Sequence, residues 1–291
     1  MKPPAFAYCA PDTEEEVLSL LHEYGADAKL LAGGQSLMPL LNLRLARPAV
    51  LVDLNRVPTL QYITVADGHV RVGAMTRQRT CERSALIADR IPLLTDALRW
   101  AGHPQIRTRG TVGGSLAHAD PAAELPAAAA VLGASFAIVG PQGTRVLPPE
   151  EFFVTYLTTA VGPEELLREV QFPAMSAEMG GAFLEVSRRQ GDFALAGVAA
   201  VVIVRSGQIA QARIALTGVG ATPIRAVEAE DFLASRRPDD RTLDELRALV
   251  SAHLSPPSDI HATAEYRRHA AGVLVARAVR SAAQRAERGA S

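Results

Sequence analysis

Two glycine pairs beside hydroxyl-bearing side chains constrain this sequence more than any other feature. The first pair, Gly33-Gly34, stands in the segment LLAGGQSL at 30–37, and the second, Gly113-Gly114, follows 80 positions later in TVGGSLAHADPAAELP at 111–126. Because glycine tolerates positive φ angles, consecutive N–H groups in such a turn can converge on an anion such as a pyrophosphate. The alternative is a tight turn that binds nothing, since short glycine motifs are weak signals.

The spacing of the glycines argues against the two commonest nucleotide-binding loops. Neither pair belongs to a G-x-G-x-x-G segment, and no lysine follows at the position that a P-loop requires. Gln35 and Ser36 add side-chain donors to the first loop. Asp120 and Glu124 follow Gly114 by six and ten positions, and both can accept hydrogen bonds from sugar hydroxyls. A Rossmann or P-loop enzyme is therefore disfavoured.

The N-terminal segment has the pattern of a small α/β unit of about fifty residues. A helix is predicted over 13–25, with Thr13 as its N-cap and Glu16 in the position of a capping box. Short apolar runs at 28–32 and 49–54 predict buried strands. The first of these strands ends at the first glycine pair, so the loop leaves directly from a sheet.

The remaining chain alternates helical and strand patterns. The hydrophobic spacing predicts, in chain order, a β-hairpin over 61–75, helical segments over 80–101 interrupted at Pro92, a helix over 122–133, a hairpin over 134–147, strands over 181–187, 195–204 and 209–217, and helices over 224–234, 241–252 and 262–285. Proline and paired glycine interrupt the pattern between Pro173 and Gly181. This segment is therefore the predicted boundary between two larger parts.

The composition excludes several classes of partner and location. The 30 basic and 31 acidic residues leave a net charge of −1, which offers no general attraction to nucleic acid or to an anionic membrane. No apolar stretch is long enough for a membrane span, and the N-terminus lacks a signal-peptide pattern, so a cytoplasmic location is expected. The two cysteines, Cys9 and Cys81, are too few to hold an iron–sulfur cluster. Any electrons that this chain receives from a cluster must therefore come from another chain.

Five segments in order carry a family resemblance. They are AGGQSLMPLLNLRLARP from 32, IRTRGTVGGSLAHADPAAELP from 106, ELLREVQFP at 165–173, SRRQGDFALAGVA at 187–199 and DIHATAEYRRHAAGVL at 259–274. Together they resemble the FAD-binding medium subunits of molybdenum hydroxylases, which include carbon monoxide dehydrogenase medium subunits and the FAD domain of xanthine dehydrogenase. Five segments in the same order are far more specific than either glycine pair alone.

The resemblance implies an α+β fold in two parts. The first, at 1–175, would be a two-subdomain FAD-binding module of the PCMH or vanillyl-alcohol-oxidase-like type, with subdomains at about 1–58 and 59–175. The second, at 176–291, would be a smaller C-terminal α/β domain of the carbon monoxide dehydrogenase flavoprotein type. FAD is the expected cofactor of this chain.

The same resemblance implies a set of cofactor-binding residues. They are Leu31, Ala32, Gly33, Gly34, Gln35, Ser36, Leu37, Ile106, Thr111, Gly113, Gly114, Ser115, His118, Asp120, Glu124, Leu167, Asp192 and Phe193. The two loops would wrap the diphosphate, and Glu124 would hold ribityl hydroxyls where relatives often have aspartate. Ile106 would lie near the adenine, and Leu167 and Asp192-Phe193 near the isoalloxazine. Phe193 stands where relatives often have tyrosine. For His118, the alternative to cofactor binding is a packed or capping role.

The implied function is electron transfer within an oxidoreductase complex, and no catalytic residue and no metal ligand is assigned to this chain. A large subunit with the molybdenum cofactor and a small subunit with [2Fe-2S] clusters are the expected partners, assembled as a dimer of heterotrimers. The resemblance leaves the organic substrate, the surface that meets the small subunit, FAD retention by the isolated chain and the electron acceptor open, with NAD, a quinone and oxygen among the acceptors. The alternatives are a stand-alone FAD-dependent oxidase or reductase of the same superfamily and a scaffold that has lost its cofactor.

Overall fold

A computed structural model describes residues 2–289, so that Met1, Ala290 and Ser291, the outermost residues of the expected domains, lie outside the described residues. The N-terminal unit consists of β1 (Ala7–Cys9), α1 (Glu14–Tyr24), β2 (Ala28–Leu31), α2 (Leu37–Asn42) and β3 (Val50–Asp53). The strands are parallel in the order β1-β3-β2. Thr13 caps α1 by accepting the Glu16 N–H, as its sequence predicts.

The middle part is built around an antiparallel sheet that shares a hydrophobic core with its helices. Its elements are β4 (Ile63–Ala66), β5 (His69–Gly73), α3 (Gln78–Arg83), α4 (Ala85–Arg90), α5 (Pro92–Trp100), α6 (Pro104–Arg109), α7 (Val112–His118), α8 (Glu124–Leu132), β6 (Ser135–Gly140), β7 (Gly143–Leu147), α9 (Pro149–Phe152), β8 (Phe153–Thr155), β9 (Thr158–Thr159) and β10 (Leu166–Pro173). The main sheet has the order β4-β5-β10-β6-β7, and β8 pairs with β9. Both predicted hairpins are present. The helical stretch breaks at Pro92, as expected, and also at Ser84, which caps α4.

The C-terminal part combines helices and strands, with the strands antiparallel. Its elements are β11 (Met179–Val186), β12 (Ala196–Arg205), β13 (Gln208–Thr217), β14 (Ile224–Arg225), α10 (Val227–Leu233), α11 (Asp240–His253) and α12 (Ala264–Gly289). Its sheet has the order β11-β12-β13-β14. The helix predicted over 224–234 is shorter, because Ile224 pairs with Leu216 in the sheet and the helix begins at Val227. None of the helices in residues 2–289 is long and apolar enough to cross a membrane.

The C-terminal sheet has two buried faces, and one of them packs against the middle part of the chain. One face, with Ala182, Val198 and Ile214, packs in a core with α11 and α12. The other face supplies Phe183 and Ala199 to the core that holds the helices of the middle part. Successive strand residues point to opposite faces, so one strand can serve both cores. Residues on the second face therefore lie directly against the segment that follows the second glycine pair.

Candidate functional site

The first glycine-rich loop begins where β2 ends and leads into α2. Gly34 has a φ of 72°, in the left-handed region that side chains disfavour. The Gln35 amide donates to the Gly33 carbonyl over 3.0 Å and braces the turn. Within residues 2–289, the backbone N–H groups from Gly33 to Leu37 have no hydrogen-bond partner. The loop therefore offers a run of consecutive donors, as an anion-binding nest requires.

The second glycine pair lies in the first turn of α7 rather than in an open loop. Gly113 and Gly114 both lie outside the left-handed region, which corrects the expectation that each pair would use positive φ angles. The Gly113 N–H donates to the Ala74 carbonyl over 2.8 Å, and the Gly114 N–H donates to Thr111 Oγ1 over 3.0 Å. Both amides are therefore already paired within the protein, that of Gly114 by the N-cap Thr111 and that of Gly113 by the Ala74 carbonyl.

Close backbone contacts explain the glycines that lack positive φ angles. A Cβ atom on Gly33 would lie 2.4 Å from the Arg109 carbonyl oxygen, and one on Gly113 would lie 2.4 Å from the Ala74 Cβ. A Cβ on Gly114 would lie 3.2 Å from the Ala32 Cβ. The structure thus brings the two segments into direct contact. In this arrangement, the missing side chains allow one backbone to approach the other.

A network of polar side chains links the two segments by hydrogen bonds. Asn55 donates to the Ala32 carbonyl over 3.0 Å and also contacts Asp53. Arg77 donates to the Asn55 side-chain oxygen over 2.6 Å and to the Arg109 carbonyl. Burial lowers the pKa of Arg77, and the nearby Arg109 lowers it further. These residues were not predicted from the sequence, because no motif or spacing marks side chains that bind backbone carbonyls.

The carboxylates lie where α8 begins. Glu124, in the first turn of α8, is 5% exposed, and burial raises its pKa to about 7, with the Asp120 charge adding to the effect. Asp120 accepts the Ala122 N–H over 2.9 Å and so shapes the turn before α8. His118 follows in the same segment, and burial lowers its pKa against the opposing effect of Asp120. The structure therefore groups His118, Asp120 and Glu124.

The remaining predicted residues lie in three different environments. Leu167 is buried in β10 opposite Ile138, within the core of the middle part. Ile106 is partly exposed on α6, and Phe193 is 63% exposed in the connection between β11 and β12. A Cβ on Gly191, beside Asp192, would lie 2.4 Å from the His103 Nδ1 atom, and His103 is the N-cap of α6. Ile106 and the Asp192-Phe193 connection therefore belong to one edge of the molecule.

These residues fit the chemistry of FAD. The unpaired donors from Gly33 to Leu37 suit a pyrophosphate, and the hydroxyls of Ser36 and Ser115 have no partner within the described chain. Glu124 supplies an acceptor for a polyol, and the exposed Phe193 ring supplies an apolar face. The first loop also needs no lysine, because oriented amides can partly neutralise a phosphate charge.

Comparison with known families accounts for nearly the whole chain. Residues 4–175 match the family described as the FAD binding domain in molybdopterin dehydrogenase. Residues 181–282 match the CO dehydrogenase flavoprotein C-terminal domain. The first match alone covers more than half of the 291 residues and includes both glycine pairs.

Relatives of full length support the same assignment. The chain is 43% identical to the 6-hydroxypseudooxynicotine dehydrogenase complex subunit alpha of Paenarthrobacter nicotinovorans, with 98% of this chain and 97% of that protein covered. It is 41% identical to the caffeine dehydrogenase subunit beta of Pseudomonas sp. strain CBB1, at 98% and 97% coverage. A solved structure of carbon monoxide dehydrogenase from Hydrogenophaga pseudoflava superimposes with a TM-score of 0.95 at 38% identity, covering 98% of this chain and 99% of that one.

The matches agree with the geometry of the two segments. A family defined by FAD binding covers the residues that offer unpaired amides and a buried carboxyl group. Both expected parts of the chain, the FAD-binding module and the flavoprotein C-terminal domain, are found in the expected order. The chain belongs to the family of FAD-binding medium subunits of molybdenum hydroxylases, and it is an FAD-dependent oxidoreductase subunit.

Proposed function

We propose that this chain carries FAD as the electron exit of a molybdenum hydroxylase, taking electrons from iron–sulfur clusters of a partner subunit and passing them to an external acceptor. When bound, FAD supplies a group that accepts electrons singly and releases them in pairs. The observation that carries the proposal is the run of unpaired amides from Gly33 to Leu37 held against the second glycine segment. The chain's own task is to bind, orient and shield the cofactor.

The proposed binding site divides the cofactor between named residues. The diphosphate is bound by the amides of Ala32, Gly33, Gly34, Gln35, Ser36 and Leu37, together with the hydroxyls of Thr111 and Ser115. Gly113 and Gly114 let the second segment pack against this loop. Glu124 binds ribityl hydroxyls, with Asp120 and His118 beside it. Leu31 supports the first loop from the end of β2, and Ile106 lies near the adenine. Leu167, Asp192 and Phe193 lie near the isoalloxazine. The unpaired amides of the first loop and the buried carboxyl group of Glu124 support this division.

The partners proposed are a large subunit with the molybdenum cofactor and a small subunit with [2Fe-2S] clusters, assembled as a dimer of heterotrimers. The two cysteines of this chain are fewer than the four thiolates of such a cluster, which favours a separate cluster-bearing chain. Burial raises the pKa of the Cys81 thiol to about 12, so it is poorly suited to act as a ligand. A cytoplasmic location is part of the same proposal.

We also propose that the chain divides into an FAD-binding module at 1–175, with subdomains at about 1–58 and 59–175, and a C-terminal domain at 176–291. The gap between the two family matches, at 175 and 181, supports this division. So does the break between β10, which ends at Pro173, and β11, which begins at Met179.

The first test is the absorbance spectrum of the purified full chain, with acid release and chromatography of any bound chromophore. The expected result is the pair of bands of an oxidised flavin, with FAD as the released molecule. A colourless protein that also fails to take up added FAD would overturn the proposal and favour a scaffold.

A second test distinguishes a subunit from a stand-alone enzyme. The chain would be produced alone and together with candidate large and small subunits, and the bleaching of the flavin bands by an organic substrate would be followed without oxygen. Bleaching is expected only in the assembled complex. Turnover by the isolated chain would contradict the subunit role and support the independent oxidase or reductase.

A further inference from the structure

Glu185 is a buried acid whose position the proposed site does not yet explain. It lies in β11 on the same face as Phe183, which packs in the core shared with the middle part. The residue is 7% exposed, and neither carboxyl oxygen has a hydrogen-bond partner within residues 2–289. An unpaired buried carboxyl is costly, so such groups are rare in proteins unless a ligand or a function uses them.

The neighbouring strands place Glu185 in line with a glycine and a threonine. Glu185 pairs with Gly197 of β12, and Gly197 pairs with Thr217 of β13, so the three residues form one row across the sheet. A Cβ on Gly197 would lie 2.6 Å from the Thr217 Cγ2 and 3.6 Å from the Glu185 Cγ. Gly197 therefore places no side chain between Glu185 and Thr217, and the Thr217 Cγ2 occupies the place that a Cβ would take.

The same row holds the segment that precedes Glu124. The Thr217 hydroxyl lies 2.7 Å from the Pro121 carbonyl oxygen and 2.8 Å from that of Ala123. The Gly218 N–H also donates to the Pro121 carbonyl over 2.7 Å. These contacts fix the start of α8 on the row that contains Glu185. The two buried carboxyl groups, Glu124 and Glu185, are therefore neighbours on facing elements.

The electrostatics agree with a closely spaced pair. Burial raises the pKa of Glu185 to about 9, and the charge of Glu124 raises it further. On the facing element, Asp120 raises and Arg107 lowers the pKa of Glu124, which lies at about 7. Near neutral pH, the pair therefore retains at least one proton. A neutral carboxyl group both donates and accepts hydrogen bonds, whereas an ionised one only accepts.

We propose that Glu185 is a further FAD-binding residue, which pairs with Glu124 to bind a hydroxyl-bearing part of the cofactor. Hydroxyl groups suit such a pair, because each hydroxyl can accept from the protonated carboxyl group and donate to its partner. The proposal rests on the proposed function, since it assumes that FAD binds this chain. Glu185 then acts as a positioning residue and takes no part in electron transfer.

The test measures FAD binding by the full chain after its FAD has been removed. FAD would be titrated by the quenching of its fluorescence into the wild type, Glu185→Leu, Glu185→Gln and the control Glu178→Gln. Glu178 is a suitable control, because it is exposed beside the same sheet and pairs with Arg205. Glu185→Leu is expected to weaken binding by about tenfold or more, since it removes the hydrogen bonds while filling the space. Glu185→Gln should stay within about threefold of the wild type, because the amide still donates and accepts.

A pH series and a folding measurement keep the result decisive. Thermal unfolding of Glu185→Leu should equal or exceed that of the FAD-free wild type, because an unpaired buried acid is removed. Wild-type FAD affinity should fall between about pH 8 and pH 10, as Glu185 loses its proton, while that of Glu185→Gln stays constant. Unchanged FAD binding by Glu185→Leu, or an equal loss in Glu185→Gln, would overturn the proposal. A wild type that binds no FAD would instead overturn the proposed function.

Discussion

The two glycine pairs look alike in the sequence and do different work in the structure. At the first pair, Gly34 adopts a positive φ, and five consecutive N–H groups remain without a partner in the described chain. At the second pair, the helix α7 begins at once, and the amides of Gly113 and Gly114 are paired with Ala74 and Thr111. The first pair is open to a ligand, and the second is used for packing.

This difference separates two physical reasons for glycine. A positive φ needs glycine because a Cβ atom would strain the backbone, whereas a close approach needs glycine because a Cβ atom would overlap a neighbour. Gly34 belongs to the first kind, and Gly113 belongs to the second. A substitution at Gly113 should therefore mainly lower stability, and a substitution at Gly34 should mainly lower the affinity for FAD.

The largest effect on stability is expected from Gly113→Ala. Its Cβ would overlap Ala74, so the FAD-free chain should lose about 3 kcal/mol of unfolding free energy. Chemical denaturation monitored by circular dichroism measures this loss. The molecules that remain folded should bind FAD with nearly wild-type affinity. A stable Gly113→Ala variant that binds no FAD would instead mean that this pair contacts the ligand directly.

Glu124→Gln should show how the Glu124 side chain makes the stability of the chain depend on pH. The pKa of Glu124 is raised, so its stabilising contribution is complete below the unfolded value near 4.5 and is lost as the pH rises through about 7. FAD-free wild type should therefore lose about 3 kcal/mol from this residue across that range. Glu124→Gln should remove that part of the decline. An unchanged pH dependence of unfolding would contradict the assigned burial.

The link between the two segments is tested by Arg77→Met. The change leaves the Arg109 carbonyl and the Asn55 side chain without their donor, and a loss of about 2 kcal/mol is expected. FAD affinity should fall as well, because Arg77 holds Asn55, which in turn binds the Ala32 carbonyl of the first loop. Arg79→Met is a control, since Arg79 pairs with the Glu82 side chain and not with a backbone carbonyl of the loops. Equal effects of the two variants on FAD affinity would contradict the coupling of the segments.

Gly34→Ala should have the smallest effect on stability and a clear effect on binding. Its positive φ costs about 1 kcal/mol in an alanine, and the nearest side-chain atoms, of Leu31 and Met38, lie at 3.3 Å from the added Cβ. FAD affinity should fall by about tenfold, because the donors of the loop shift. Fluorescence titration measures the affinity, and Gly207→Ala, at a positive-φ turn with open space, controls for backbone strain.

Much of the fold was predictable because its signals are local. The Thr13 cap and the break at Pro92 arise from neighbouring residues, and the structure has both. The strand β14 was missed because two residues, Ile224 and Arg225, carry no periodicity and depend on pairing with β13. The state of the second glycine pair also depended on a distant partner, Ala74, which no nearby residue indicates.

The two loops of the site could be predicted from the sequence, whereas the side chains that hold the loops in place could not. Paired glycines in the sequence indicate a loop with free backbone donors. Arg77 and Asn55 have no such signal, because they bind carbonyl groups of other segments. Glu185 left one signal that could have been used, an acid on the inward face of an apolar strand beside Phe183. Its neighbour Glu124 lies 61 positions earlier, so only the tertiary structure shows the pair.

The most direct test of the account is amide hydrogen exchange of the full chain with and without FAD. The amides from Gly33 to Leu37 have no partner in the described chain, so they should exchange fast without FAD and become protected when it binds. The Gly113 and Gly114 amides should be protected in both states, because the protein already pairs them. Unchanged exchange from Gly33 to Leu37 on FAD binding would contradict the claim that the first loop binds the cofactor.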